Sequence, residues 1–320
     1  MATIQRIVGN ACLALLSVFG SAALAQDYPV KPIRIVVGPG SDLLARLVGE
    51  KLTGLWGQQV VVDQRPGGGG IIAQDIVAKS AADGYTWLFS TAAFTINATL
   101  MPHQQTSLAR DFAPVMLWAT ATFYLLVNPS VPAHSVSELI ELARAKPGQL
   151  NYSSAGVGTP PHLAGEMFKS MAHINIVHVP YKTAAAAVTD LIGGQVQMSF
   201  QFAPTALPHI KSGKLRALAV SSAKRSPGAP ELPTIAESGL PGFEVLGWDG
   251  VHVPKGTPKA IIDRIDRDAL DALKLSDVRE RMATAGLDAA GDTPEEFALF
   301  VRNDIARWAK VIAEAGIKPE

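Results

Sequence analysis

The chain has 320 residues, 28 of them basic and 28 acidic, and 48% of its residues are hydrophobic. Balanced charge excludes the basic footprint of a nucleic-acid binder or of a protein held on an anionic membrane surface. A single cysteine excludes a disulfide framework, so the fold must be held by its own core.

Residues 1–25 read as a secretory signal peptide. Arg6 supplies the charge, IVGNACLALLSVFGSA the short apolar core, and Ala23-Leu24-Ala25 the small-x-small site after which cleavage is expected. That core is shorter than the roughly 20 residues needed to span a bilayer, which disfavours a membrane anchor. Removing 25 of 320 residues leaves 295, takes away Cys12 with the leader, and sets the net charge to −1. A chain of that length typically divides into two domains. No later apolar run is long enough to span, so the mature protein is expected to be soluble.

Ile33-Arg34-Ile35-Val36-Val37 is a β-branched run ended by Gly38-Pro39-Gly40, after which Ser41-Asp42 precedes the helical pattern LLARLVGEKL. Val60-Val61-Val62 is a second strand, followed by Pro66-Gly67-Gly68-Gly69-Gly70 and the helix IIAQDIVAKSA. Thr86-Trp87-Leu88-Phe89 is a third, ended by Ser90-Thr91. Strand, glycine turn and helix at this spacing indicate βαβ units and a parallel sheet.

A second series begins with the strand Phe123-Tyr124-Leu125-Leu126-Val127. Ser135 and Glu138 have capping-box spacing ahead of ELIELARAK. Short strands follow at residues 151–153 and 176–179, then a helix through Asp190 and strands at residues 196–200 and 215–220. After Gly247-Trp248 the chain reads as helical: Thr257-Pro258 and Thr293-Pro294 each look like an N-cap with proline at the first helical position. The last helix carries Phe297, Val301, Ile305, Trp308 and Ile312 on one face. These breaks predict a signal peptide over 1–25, a first lobe from 26–126 plus 247–320, and a second lobe from 127–246.

The stretch NYSSAGVGTPPHLAGEMF carries the strongest local chemistry. A helix opening after Thr159-Pro160 leaves backbone N–H groups and the positive end of its dipole facing outward, an anion site that needs no basic side chain. Gly156 and Gly158 admit close backbone approach, while Ser153, Ser154, Thr159 and His162 add donors. A P-loop is excluded because Gly213-Lys214 is followed by Leu215, and a dinucleotide fingerprint because residue 161 is proline. There is no Gly-x-Ser-x-Gly elbow, and no His-Glu-x-x-His, so neither a hydrolase nor a metal site is indicated and no cofactor is called for. Loops at residues 38–41 and 66–70 have the same strand-to-helix design, and in open α/β sheets ligands collect at such strand ends.

The ordered combination of YPVKPIRIVV, VVVDQRPGGGG, DGYTWLFST, VNPSVPAHSVSELI, LNYSSAGVGTPPHLAGEMF, IVHVPYK, ALPHIKSGKLRALAVSSAKRSP, LPTIAESGLPGFE and TPEEF resembles the tripartite tricarboxylate transporter substrate-binding proteins, the Bug family. The resemblance implies an α/β, two-lobed type II periplasmic binding protein with mixed sheets in each lobe and a ligand cleft between them. It implies a monomeric periplasmic receptor, not an enzyme, that hands a small organic carboxylate to membrane permease subunits. It places Gly38, Pro39, Gly40, Ser41 and Asp42 in the first carboxylate loop, Ser90, Thr91 and Ala92 in the loop after the third strand, and Ser153, Ser154, Gly156, Gly158, Thr159 and His162 in the second lobe's loop.

Two departures shape the expected ligand. The first loop lacks the family's usual Phe-Pro-Pro-Gly-Gly run and is shorter. Gln201, between Phe200 and Phe202, stands where many members carry an aspartate, and loss of that acid removes a partner for a ligand ammonium. The expectation is a dicarboxylate or an aromatic carboxylate, with Phe94, Phe200 and Phe202 as candidates to flank a ring. The alternatives are a ligand-sensing partner of a membrane signalling protein and an exported hydrolase using Ser153 or Ser154 with His162.

Overall fold

The computed structural model describes residues 28–38, 41–65, 67, 70–226 and 228–317. The signal peptide, Pro39 and Gly40 lie outside the described residues. The first parallel unit runs β1 (Ile33–Val37), α1 (Leu43–Trp56), β2 (Val60–Gln64), α2 (Ile71–Ala78) and β3 (Thr86–Thr91), as the β-branched runs and glycine turns predict. Next come α3 (Ala92–Leu100), α4 (Leu108–Asp111) and the 16-residue β4 (Phe112–Val127). The second unit comprises α5 (Val136–Ala145), β5 (Asn151–Ser154), α6 (Pro160–Ala172), β6 (Val177–Pro180), α7 (Ala184–Ile192), β7 (Met198–Phe202), α8 (Ala203–Lys211) and β8 (Arg216–Val220). The chain closes with β9 (Leu246–Pro254), α9 (Lys259–Lys274), α10 (Ser276–Thr284), β10 (Asp288–Ala289) and α11 (Pro294–Glu314).

The strand order is β2-β1-β3-β9-β4-β7-β5-β6, with β8 and β10 also paired to β4. Parallel pairs (β1 with β2 and β3, β5 with β6 and β7) flank an antiparallel centre of β3·β9, β9·β4 and β4·β7. β4 serves both lobes: Thr122 is still opposite Leu246 of β9, whereas Phe123 is opposite Phe202 of β7. The result is a two-lobed α/β fold of mixed sheets.

Two strands exceed what the local pattern suggested. The run at residues 123–127 is only the end of β4, whose earlier half contains Pro114 beside a register shift between Pro114 and Met116. Proline lacks a ladder N–H, and a bulge is where a sheet tolerates it. The segment after Gly247-Trp248, read as helical, begins with β9 instead. Two glycines and an aspartate dilute its β-pattern, and its place between β3 and β4 is what makes it a strand.

Caps follow the local chemistry closely. Thr293 accepts the Glu296 N–H, and the Glu296 carboxylate takes the Thr293 N–H, completing the capping box of α11. At α5, Ser135 Oγ accepts from Glu138 N, but Glu138 reaches one residue further back to the His134 N–H. Thr257 does not cap α9: its hydroxyl donates to the Pro254 carbonyl and Lys259 is the first helical residue.

The core has one cluster on each sheet face. Trp87, Phe89 and Trp118 pack under α1 and α9, while Phe94, Trp248, Phe297 and Val301 pack on the opposite face. In the second lobe Tyr152, Phe168, Phe200 and Phe243 form the largest cluster. That cluster also takes in Ile96 and Leu100 of α3 and Trp308, Val311 and Ile312 of α11. Helix α11 therefore starts in the first lobe's core and ends in the second's.

Between those two halves sits Asp304, 1% exposed. Its carboxylate accepts from Thr95 Oγ1 at 2.6 Å and Trp248 Nε1 at 2.9 Å and pairs with Arg307. Asp304→Ala strands two buried donors and a guanidinium, an expected loss of about 3 kcal/mol. The urea unfolding midpoint is expected to fall while the slope of the transition is unchanged.

Candidate functional site

Four strands end at one side of the molecule and pass directly into helices: β1 into α1, β3 into α3, β5 into α6, and β7 into α8. Their N-termini border one cavity of about 590 Å³. Ser41 and Leu43 line it from α1, Thr91 and Ala92 from α3, Pro160 from α6, and Phe202, Pro204 and Thr205 from α8. Its floor is the strand pair β4·β9, through Ala121, Gly247, Trp248 and Asp249, and Ala285 and Leu287 close one side. Among the described residues no lysine or arginine lines it. Positive potential there comes from orphan backbone N–H groups and helix dipoles.

The four N-termini are not equally furnished. Pro160 and Pro161 have no N–H, so α6 offers its first donor only at His162; the double proline removes most of the donors that the sequence pattern alone suggested for this helix. Pro204 removes one from α8. α3 opens Ala-Ala-Phe-Thr with every N–H present, behind Thr91, whose Oγ1 accepts from Ala93 N at 3.4 Å. The first lobe thus presents the richer donor set.

The expected site residues separate into three groups. Ser41, Thr91 and Ala92 line the cavity. Gly38, Asp42, Ser90, Ser153 and Gln201 lie outside that lining and are engaged elsewhere. A Cβ on Gly38 would stand 3.3 Å from Gly70, Asp42 pairs with Arg46, and Ser90 Oγ lies 2.8 Å from His252 Nδ1. Ser153 donates to the Ala187 carbonyl, and Gln201 Nε2 donates to Ser199 Oγ. The third group, Ser154, Gly158, Thr159 and His162, forms a self-bonded loop beside Pro160. Thr159 Oγ1 donates to the Gly156 carbonyl, Ser154 Oγ accepts from Gly156 N, and His162 Nδ1 accepts from Gly158 N. A Cβ on Gly158, where φ is +75°, would meet Leu100 of α3 at 2.7 Å, so this loop abuts the first lobe. Of the three candidate aromatics, Phe202 lines the cavity, whereas Phe94 and Phe200 are core. Phe202 stacks on Phe123, with ring centroids 4.1 Å apart.

Behind the loop is a buried polar cluster. Ser154 Oγ is 2.6 Å from His178 Nε2, His178 stacks on His162 at 4.0 Å, and Tyr152 donates to Glu166 at 2.6 Å. Ser154 pairs with His178 rather than His162 and is fully buried, which is the geometry of a structural hydrogen bond and not of an exposed nucleophile. Burial lowers both histidines to about 4. Both stay neutral in the folded state, as His162 must to accept at Nδ1.

Sequence patterning singled out neither the β4·β9 floor nor Asp249. Alternation along β9 puts Asp249 on the face of Val251 and Val253, which pack in the α1 cluster, and it lies opposite Thr91 and Ala119. No hydrogen bond or ion pair engages its carboxyl among the described residues. Burial alone raises this acid to about 7. A second concavity of about 450 Å³, at the rim of β2 around Arg34 and Asp63, has no helix N-terminus on it. Among the described residues no cluster of metal-ligating side chains occurs, and no helix is long and apolar enough to cross a membrane.

Comparison with known proteins agrees with this geometry. A family model described as the tripartite tricarboxylate transporter family receptor matches residues 44–317. Protein BugT of Bordetella pertussis is 37% identical over 318 residues, covering 96% of this chain and 98% of its own. Rpa4515 of R. palustris, solved with adipate, is 36% identical with a TM-score of 0.78, covering 92% of this chain and 100% of its own. MatC from Rhodopseudomonas palustris, solved with bound malate, is 28% identical with a TM-score of 0.74, covering 89% and 100%. The matching family is one of transporter receptors.

The histidine pair gives a signed pH dependence. A histidine lowered from about 6.5 to about 4 binds its proton more readily in the unfolded chain. Stability is therefore full above about pH 6.5 and falls as pH drops toward 4. Melting temperatures between pH 7.5 and about 4.5 are expected to fall less steeply in His178→Gln than in the native chain; equal slopes would mean that His178 is not held neutral.

Proposed function

The chain belongs to the tripartite tricarboxylate transporter receptor family, and from that premise we propose that it captures a small organic carboxylate in the cleft between its lobes. One observation carries this reading: helix N-termini from both lobes border a single cavity that, among the described residues, contains no basic side chain. Oriented backbone donors hold carboxylates without a lysine or arginine, and they cost no reorganisation when the anion arrives. Leu43, Ala121, Phe202 and Leu287 supply apolar walls, which suit a dicarboxylate with an aliphatic body or an aromatic carboxylate. Adipate in Rpa4515 and malate in MatC support that class.

In this proposal the receptor is exported, the leader is removed after Ala25, and the periplasmic monomer delivers its ligand to permease subunits of the same transporter type. The lobes, residues 26–126 plus 247–320 and residues 127–246, close about the strands that join them. Contacts across the cleft favour closure as the capture step: Gly158 lies on Leu100, and a Cβ on Gly286 would sit 2.5 Å from Ala203.

A thermal-shift screen of the mature protein against dicarboxylates, tricarboxylates, aromatic carboxylates and neutral sugars tests the proposal. A carboxylate at about 100 times its Kd stabilises the native state by about 2.7 kcal/mol, which raises the melting temperature by about 5 °C. Thr91→Val, which removes the α3 cap at the cavity, is expected to weaken binding by about tenfold and to lower ligand-free stability by about 1 kcal/mol. Stabilisation by a neutral sugar and by no carboxylate would overturn the reading.

A further inference from the structure

The cavity holds one charge-bearing side chain, Asp249, and it is unusually placed. It projects from the β4·β9 floor on the face that packs under α1, next to Thr91 and below the start of α1. It is half-buried, it borders the cavity, and its carboxyl has no protein partner among the described residues. The surrounding titratable groups are accounted for. Asp42 and Arg46 on α1 pair with each other, and His252 on β9 is turned to Ser90 on the opposite face and held neutral by burial. On α6, His162 accepts from Gly158, and Asp288 on β10 is exposed. Among the described residues β3, β4, α8 and the segment after α10 place no titratable side chain in the cavity lining. The partner for this acid is therefore water or a ligand in the cavity.

We propose that Asp249 is a ligand-contacting residue that meets the bound carboxylate as a neutral acid, so that the cleft takes up a carboxylate together with one proton. This deepens the carboxylate reading above and rests on it. Two carboxyl groups sharing a water-poor site cannot both ionise cheaply, so one keeps its proton and donates it in a short hydrogen bond to the other. An ionised Asp249 would repel the anion that the helix N-termini attract. The protonated acid instead adds the donor that the proline-depleted starts of α6 and α8 lack. Burial already places this acid at about 7 in the empty cleft, within reach of neutral pH, and an arriving anion raises it further.

Binding to the protonated form makes the apparent affinity fall by about tenfold for each pH unit above the acid's own pKa. The test is calorimetric titration of the mature protein with adipate, malate and benzoate between about pH 6.5 and 9, and with citrate above about pH 7.5, where each probe is almost fully ionised. Each titration is run in two buffers of different ionisation enthalpy. The expected result is affinity lost by about thirtyfold or more across that range, with net proton uptake on binding at neutral pH. Asp249→Asn, whose amide still donates but does not titrate, is expected to give a flat profile and to bind more tightly than the native protein at pH 9. A structural role for Asp249 would not produce that crossing. Carboxylate binding that is independent of pH, or lost in Asp249→Asn at every pH, overturns the assignment and leaves the carboxylate reading standing. Tight binding of a protonated amine in a parallel titration with lysine, abolished in Asp249→Asn, overturns it in favour of an ion pair. If neither form binds any of the four carboxylates, both readings fail.

Discussion

Strand β4 is the constraint on which the other features depend. Its first eleven residues run along β9, with bulges at Val115 and Trp118, and its last five along β7, so one continuous strand belongs to both lobes. Every backbone N–H and C=O along it must find a partner, because most of the strand is buried. β9 satisfies one edge of the first half and is itself satisfied by β3 on its other side. That pairing fixes how the first parallel unit, β1 to β3, lies relative to the second, β5 to β7. The cleft is the gap that remains between them, and β4·β9 is its floor.

From that frame the binding chemistry follows without basic side chains. In a parallel unit each strand's carboxyl end feeds the next helix's N-terminus, so orphan N–H groups collect on one side. Two such units joined by β4 point four helix starts at one space. The prolines at positions 160, 161 and 204 then unbalance the donor supply in favour of the first lobe. Asp249 lies on the first lobe's floor, next to the better-furnished α3. On the proposed reading, an acid there competes with an anionic ligand when ionised and assists it when neutral.

The loop of residues 153–162 illustrates how a strong local signal can describe a support rather than a contact. Its serines, glycines and histidine were legible as an anion-binding pattern, and its neighbour Pro160 does reach the cavity. Yet its hydroxyls and N–H groups largely bond within the loop or to His178. Those bonds hold Gly158 against Leu100 and fix the start of α6. Spacing in the chain cannot distinguish a donor aimed at a ligand from a donor closing its own turn. That depends on His178, which comes from a different strand.

What the sequence determined by itself was whatever rests on short-range physics. β-Branched runs made β1 to β3, glycine turns made the parallel connections, the Thr293–Glu296 box opened α11, and period-3.6 spacing chose the buried face with Phe297, Val301, Trp308 and Ile312. The ordered set of family segments was also written in the chain, and with it the receptor family. Tertiary structure decided the rest. β9 is a strand because β3 and β4 offer it two ladders, although its glycines and aspartate argue for no strand locally. Phe202 became a cleft wall while Phe94 and Phe200 became core, a difference set by which side of a sheet faces the gap. Asp249 carries no signal in its neighbours along the chain. It acquires its meaning only when β9 sets it beside Thr91, half-buried in the cavity with no partner among the described residues, because a charge's environment is fixed by what folds around it.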